Sequence, residues 1–107
     1  MALQIPRKLL TLLEAAAKDG ASDLFLNVGR VPARRIHGTL ETLAASEVEA
    51  EALDQLAAAA LGVRGFQDVG ETGDADVGLS LPGGQRFRLN LSRQKGHLAI
   101  VARVVPS

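Results

Sequence analysis

The chain has 107 residues, 47% apolar and 3% aromatic, with 12 basic and 12 acidic side chains giving a formal net charge of zero, and it contains no cysteine. That length holds one domain, residues 1–107, which removes roughly two-thirds of its unfolded surface from water on folding. Balanced charge argues against a protein that wraps nucleic acid or coats an anionic membrane, and the missing cysteine excludes a disulfide framework and a thiolate metal site.

The N-terminal segment M-A-L-Q-I-P-R-K-L-L-T-L-L-E-A-A-A-K-D-G places Pro6 as a first helical residue. Leu9, Leu12, Leu13, Ala16 and Ala17 follow at spacings of three and four, so a helix is predicted over 6–18, closed by Lys18 and Gly20. Glu14 and Lys18 inside the apolar pattern argue against a signal peptide, and no apolar run approaches the roughly 20 residues that span a bilayer, so a cytoplasmic domain is expected. S-D-L-F-L-N-V-G then switches to period two, with Leu24, Leu26 and Val28 on one side of a strand and Asp23, Phe25 and Asn27 on the other. V-P-A-R-R-I-H-G-T-L-E-T-L reads as two short strands broken near Gly38, Pro32 confining the first to an edge or a strand start.

Ser46 followed by Glu49 has the spacing of a capping box, and Val48, Ala52, Leu56 and Ala60 make a stripe, so a second helix is expected over 46–61, ending before Gly62. V-R-G-F-Q-D-V-G-E-T-G-D reads as a Gly-rich connection with one helical turn near Phe66. From Asp76 the pattern is a meander: Val77, Leu79 and Leu81 alternate with polar residues, Pro82-Gly83-Gly84 turns, Phe87, Leu89 and Leu91 alternate again, and H-L-A-I-V-A-R-V-V closes the sheet. The expected class is α+β, an antiparallel sheet whose one face buries Leu24, Leu26, Phe87, Leu89 and Leu91 under both helices.

Alternation along Q-R-F-R-L-N-L places Arg86, Arg88 and Asn90 together on the face opposite Phe87, Leu89 and Leu91. A planar guanidinium there grips a phosphate or carboxylate bidentately; the alternative is a solvated strand face whose ion pairs are worth about 0 to 1 kcal/mol. The chain contains no G-x-x-x-x-G-K-[ST] loop, no G-x-G-x-x-G and no G-x-S-x-G, so no self-contained nucleotide-hydrolysing site is expected in it. Asp74 and Asp76 would share a strand face, a weak cation signal for which turn capping or pairing with facing arginines is the simpler account. His37 and His97, in a turn and at a strand start, are too few for a histidine metal site, so no metal is expected.

Taken in order, A-S-D-L-F-L, G-R-V-P-A-R-R-I-H-G-T-L, D-V-G-L-S-L-P-G-G-Q-R-F-R-L-N and R-V-V-P-S resemble the N-terminal, PAS-like domain of the type IV pilus retraction (twitching motility) ATPases, a branch of the secretion ATPase superfamily. The chain departs from the family pattern at Phe25 for His, Val31 for Pro and His37 for Asp. The resemblance implies a domain that precedes a P-loop ATPase domain, packs on the ATPase domain of a neighbouring subunit in a homo-hexamer, and serves pilus machinery at the inner membrane, with ATP and Mg²⁺ held by the full-length protein and no cofactor by this domain. It implies that Arg86 and Arg88 approach nucleotide phosphates, and that Asp23, Arg35, Asn90 and Arg103 support the interface. The competing readings are a stand-alone PAS-like ligand-sensing or protein-interaction module, which needs an apolar pocket inside the sheet, and nucleic-acid binding by the arginine strand. The latter is disfavoured because Phe87 lies on the wrong face to interleave with the charges.

Overall fold

In the computed structural model, which describes residues 4–70 and 73–106, the elements run α1 (Arg7–Lys18), β1 (Ala21–Asn27), β2 (Ala33–Ile36), β3 (Thr39–Thr42), α2 (Ala50–Val69), β4 (Ala75–Ser80), β5 (Arg86–Gln94) and β6 (His97–Val105). Met1–Leu3 of the N-terminal segment, Glu71 and Thr72 of the expected connection, and Ser107 of R-V-V-P-S lie outside the described residues. All strand pairs are antiparallel, in the order β3-β2-β1-β6-β5-β4.

The stripes close on one another as the alternation requires. Leu24, Leu26, Phe87, Leu89, Leu91, Ile100 and Ala102 form one buried cluster with Leu9, Leu13 and Ala16 of α1 and Leu53, Leu56 and Ala57 of α2. Both helices therefore cover the same sheet face, which is the α+β, PAS-like arrangement expected from the sequence. Two tight hairpins set register: His37-Gly38 (φ 50° and 78°) joins β2 to β3, and Lys95-Gly96 (φ 52° and 80°) joins β5 to β6. Positive φ at both central residues is the type I′ geometry whose twist matches the flanking strands.

Two expectations about the second helix need correction. Its first residue is Ala50, and Glu49 at the N-cap makes no side-chain capping bond, so Ser46 and Glu49 are no capping box. The reason lies in Val48, whose N–H donates to the Arg30 carbonyl and whose carbonyl accepts from Gly29 N–H (2.9 and 2.8 Å) in a parallel bridge with Val28. With both backbone groups used, the helix cannot begin before Val48. At the other end Gly62 (φ 79°, ψ 158°) leaves the helical region, so the first helical run stops before it as expected, but residues 63–69, expected as a loop with one turn, form a second helical run across the kink. The expected stripe does face the core, Val48 and Leu56 buried in it and Ala52 and Ala60 packed against it, and the structure adds Leu53 and Ala57 to the buried face. In α1, Pro6 occupies the N-cap and its carbonyl accepts from Leu10 N–H at 2.9 Å, so the helix starts at Arg7, one place after the expected start.

Candidate anion-binding face

The sheet face away from the helices carries the residues singled out from sequence. Directly opposed residues on neighbouring strands share a face, so the registers define rows across the sheet. One row reads Leu40, Arg35, Asp23, Arg103, Arg88, Gly78, one residue from each of the six strands. The next reads Thr42, Ala33, Phe25, Val101, Asn90, Asp76. Arg86 lies one pleat along β5 from Arg88, opposite Val105 and Ser80.

At the centre of the first row is Asp23, the buried charged residue of the described set. A register shift between Ala21 and Asp23 makes a β-bulge at Ser22, and bulges re-aim side chains. Ser22 Oγ donates to Asp23 Oδ2 at 2.7 Å and lies 3.4 Å from the Arg35 carbonyl. Arg103 Nε donates to Asp23 Oδ1 at 3.4 Å, and Arg35 Nε is 3.9 Å from Oδ2. The Arg35 guanidinium also stands 5.7 Å from the Phe25 ring centroid, a cation–π distance. Asn90 Nδ2 donates to Asp76 Oδ1 at 3.1 Å, which gives Asp76 a polar partner within the sheet.

Three guanidinium groups thus share the row with one carboxylate. Arg86 and Arg88 are exposed and, among the described residues, have no ion-pair or side-chain hydrogen-bond partner. Arg88 and Arg103 are direct cross-strand neighbours, a placement of like charges that is unfavourable unless an anion intervenes. A shallow depression between them is lined by Asp76, Arg88, Asn90, Val101 and Arg103, and on the β4 side Gly78 leaves open space where a side chain would stand. Glycine inside a strand often marks the close approach of a ligand or another backbone.

All six residues named from sequence, Arg86, Arg88, Asp23, Arg35, Asn90 and Arg103, stand on this one face. Sequence reasoning missed Gly78 and the Asp23 to Arg103 contact, because register between strands about 80 residues apart is not encoded in either strand's alternation. Arg93, three residues from Asn90, has the opposite parity: on the helix side its Nε donates to the Gly70 carbonyl at 3.2 Å. Arg34 also belongs to that side. It donates from Nε to Glu41 at 2.8 Å and from Nη1 to Asp19 at 2.9 Å, tying the end of α1 to the β2–β3 hairpin. The bond to Glu41 first, and then that to Asp19, raises its pKa above the ordinary arginine value.

Among the described residues no group of three or more His, Asp or Glu could hold a metal ion, and no helix is long and apolar enough to cross a membrane. No family model matches the chain. In sequence it is 31% identical over 96 residues to the type IV pilus retraction ATPase PilT of Pseudomonas aeruginosa, a match covering 90% of this chain and 28% of that protein. In structure it matches the crystal structure of the pilus retraction motor PilT with bound ADP at a TM-score of 0.79 and 30% identity, covering 92% of this chain and 29% of that one. The Legionella pneumophila ATPase DotB gives 0.79 at 21% identity over 96% of this chain and 30% of that one, a likeness of fold alone.

The open antiparallel sheet with both helices on one face is the fold that the chain shares with these ATPases. In sequence the chain is homologous to the N-terminal region of the type IV pilus retraction ATPase PilT, and it spans under a third of the length of the relatives it matches.

Proposed function

We propose that this domain is the assembly and regulatory domain of a type IV pilus retraction motor. Its open face packs on the ATPase domain of the neighbouring subunit in a homo-hexamer, and Arg86 and Arg88 reach the phosphates of ATP bound there. The observation that carries the reading is the row containing Arg88 and Arg103, with Arg86 beside it and Arg86 and Arg88 unpaired among the described residues. In the homologous motor the bound nucleotide is ADP. A guanidinium arriving from another domain neutralises outer phosphate oxygens left open by a P-loop. The donor set suits phosphate and not Mg²⁺, which takes oxygen ligands and would be held with ATP in the ATPase domain. The machine would then work at the cytoplasmic side of the inner membrane.

The test is a chimaera in which this domain replaces the corresponding region of P. aeruginosa PilT. The expected result is an ATP-hydrolysing hexamer whose turnover falls ten-fold or more on Arg88→Ala, about what one charge-assisted phosphate contact supplies. Unchanged turnover with the hexamer intact would refute the role of the arginine.

A further inference from the structure

On the helix side of the molecule a concave groove of about 300 Å³ runs between the start of α1 and the segment leading into α2, over a floor that includes Leu12, Val48 and Ala52. One wall carries Arg7 and Lys8, the other Glu47 and Glu49, and all four side chains are exposed. Among the described residues no ion pair joins the two walls. Arg7 and Lys8 stand in the first turn of α1, where the helix dipole disfavours positive charge and no acidic residue offsets it. A groove so shaped takes a convex occupant: an apolar side chain seated on the floor, with an acid towards Arg7 and Lys8 and a base towards Glu47 and Glu49.

The chain carries such a ridge itself, in the short helical run beyond the kink at Gly62. Val63 is 51% exposed there, while Phe66 of the same run packs against the core. A lone exposed valine is ordinary on a protein surface; what distinguishes this one is its flanks. Arg64 and Asp68 are exposed and one helical turn apart, yet among the described residues neither forms an ion pair. Base before acid is the weaker order for a pair at that spacing. Gly62 lies about 15 Å along the helix from Ala52. Ridge and groove therefore mark opposite ends of α2, and no residue of the run lines the groove of its own copy.

We infer that the ridge of one copy seats in the groove of the next: Val63 on the apolar floor, Arg64 against Glu47 and Glu49, and Asp68 against Arg7 and Lys8. A contact between two different patches is heterologous, so it repeats head to tail and closes into a ring where the rotation per step permits. That is the kind of contact neighbours in a six-membered ring make. The inference stands without the open face, which lies on the opposite side of the sheet and stays free. A single contact of this size is weak, with a Kd on the order of 100 μM, and in a closed ring each copy is held by two of them.

Sedimentation of the 107-residue chain between about 10 μM and about 1 mM tests it, those limits bracketing that affinity. The wild-type chain is expected to grow past the dimer across the range, since a head-to-tail contact leaves a ridge and a groove free at the ends, and to dissociate as salt rises. Arg64→Glu with Asp68→Lys reverses the ridge; Arg7→Glu, Lys8→Glu, Glu47→Lys and Glu49→Lys together reverse the groove. Each variant alone should be monomeric. Mixed at equal concentration the two should associate again, because every ridge then meets a groove of matching charge. The chain has no cysteine, so Val63→Cys in one copy and Ala52→Cys in another give a readout that alters no charge: oxidising the mixture should yield the mixed disulfide in excess over either variant's own dimer. Circular dichroism checks the folding of each variant, and the disulfide decides the matter where a charge-reversed chain does not fold. Arg88→Ala should leave the association unchanged, which separates this contact from the role proposed for the open face. A wild-type chain monomeric at the upper concentration, as expected if the groove takes a small amphiphile or another protein's helix, would overturn the inference. So would association that stops at the dimer, that survives reversal of ridge or groove, or that is lost on Arg88→Ala, and so would a mixture that stays monomeric or forms no mixed disulfide.

Discussion

Asp23 shows how much rests on single side chains here. Its carboxylate is 11% exposed and is contacted by Ser22, Arg103 and Arg35, while Arg103 itself is 74% exposed. Removing the charge by Asp23→Asn leaves two guanidinium groups facing each other without a counter-charge. The expected loss is about 1 to 3 kcal/mol in urea unfolding, the range for a buried polar group that loses partners. Arg86 and Arg88 are the contrasting case: exposed and unpaired, either changed to Ala should alter stability by no more than about 0.5 to 1 kcal/mol. A substitution there that unfolds the domain would make the arginines structural instead. For Arg34, a raised folded pKa means that its contribution is fully present below the unfolded value and is lost only as pH rises through the folded one. Arg34 should therefore add no slope to stability across neutral pH, and Arg34→Ala should lower the thermal midpoint equally at pH 6 and pH 8.

At the scale of elements, periodicity carried α1 and the strands, since one buried face imposes one spacing on each. Phe87, 1% exposed and the second residue of β5, is a ring of the core shared by sheet and helices, and Phe87→Ala should cost about 3 to 5 kcal/mol. A loss under about 1 kcal/mol would mean that the β5 register is inverted. The second helix was only half legible. Ser46 and Glu49 have the capping-box spacing, but the bridge between Val28 and Val48 claims the backbone first, and that bridge depends on a strand 20 residues earlier. Gly62 was legible as a helix-breaker and not as a break inside a helix. At φ 79° and ψ 158°, a region essentially confined to glycine, an Ala costs about 1 to 3 kcal/mol, so Gly62→Ala should destabilise the chain by that amount although nothing crowds the added methyl. His37 is one of the described non-glycine residues with positive φ. The position is the first of a type I′ turn, φ 50°, so the residue type there answers to backbone geometry, and His37→Asn should be neutral or mildly stabilising in thermal unfolding.

For the whole molecule, the two sides of the sheet divide the labour. One carries both helices and the core, the other the arginine row, so exposed Arg86 and Arg88 can be replaced without touching the packing. The isolated chain, which contains no G-x-x-x-x-G-K-[ST] loop, is expected to turn over no ATP in a phosphate-release assay and to bind it more weakly than micromolar by calorimetry. Sub-micromolar binding would show a nucleotide site of its own.

By itself the sequence determined the α+β class, the inward set of Leu24, Leu26, Phe87, Leu89 and Leu91, and the face shared by Arg86, Arg88 and Asn90, because each of these follows from a period of two or 3.6 within one segment. Only the tertiary structure decided that Arg35, Asp23, Arg103 and Arg88 stand in one row, that Gly78 lies open beside Arg88, and that α2 begins after Val48. The physical reason is common to all three: strand order, inter-strand register and the Val28 to Val48 bridge are pairings between distant segments, settled when hairpin geometry, the bulge at Ser22 and burial of the core face are satisfied together.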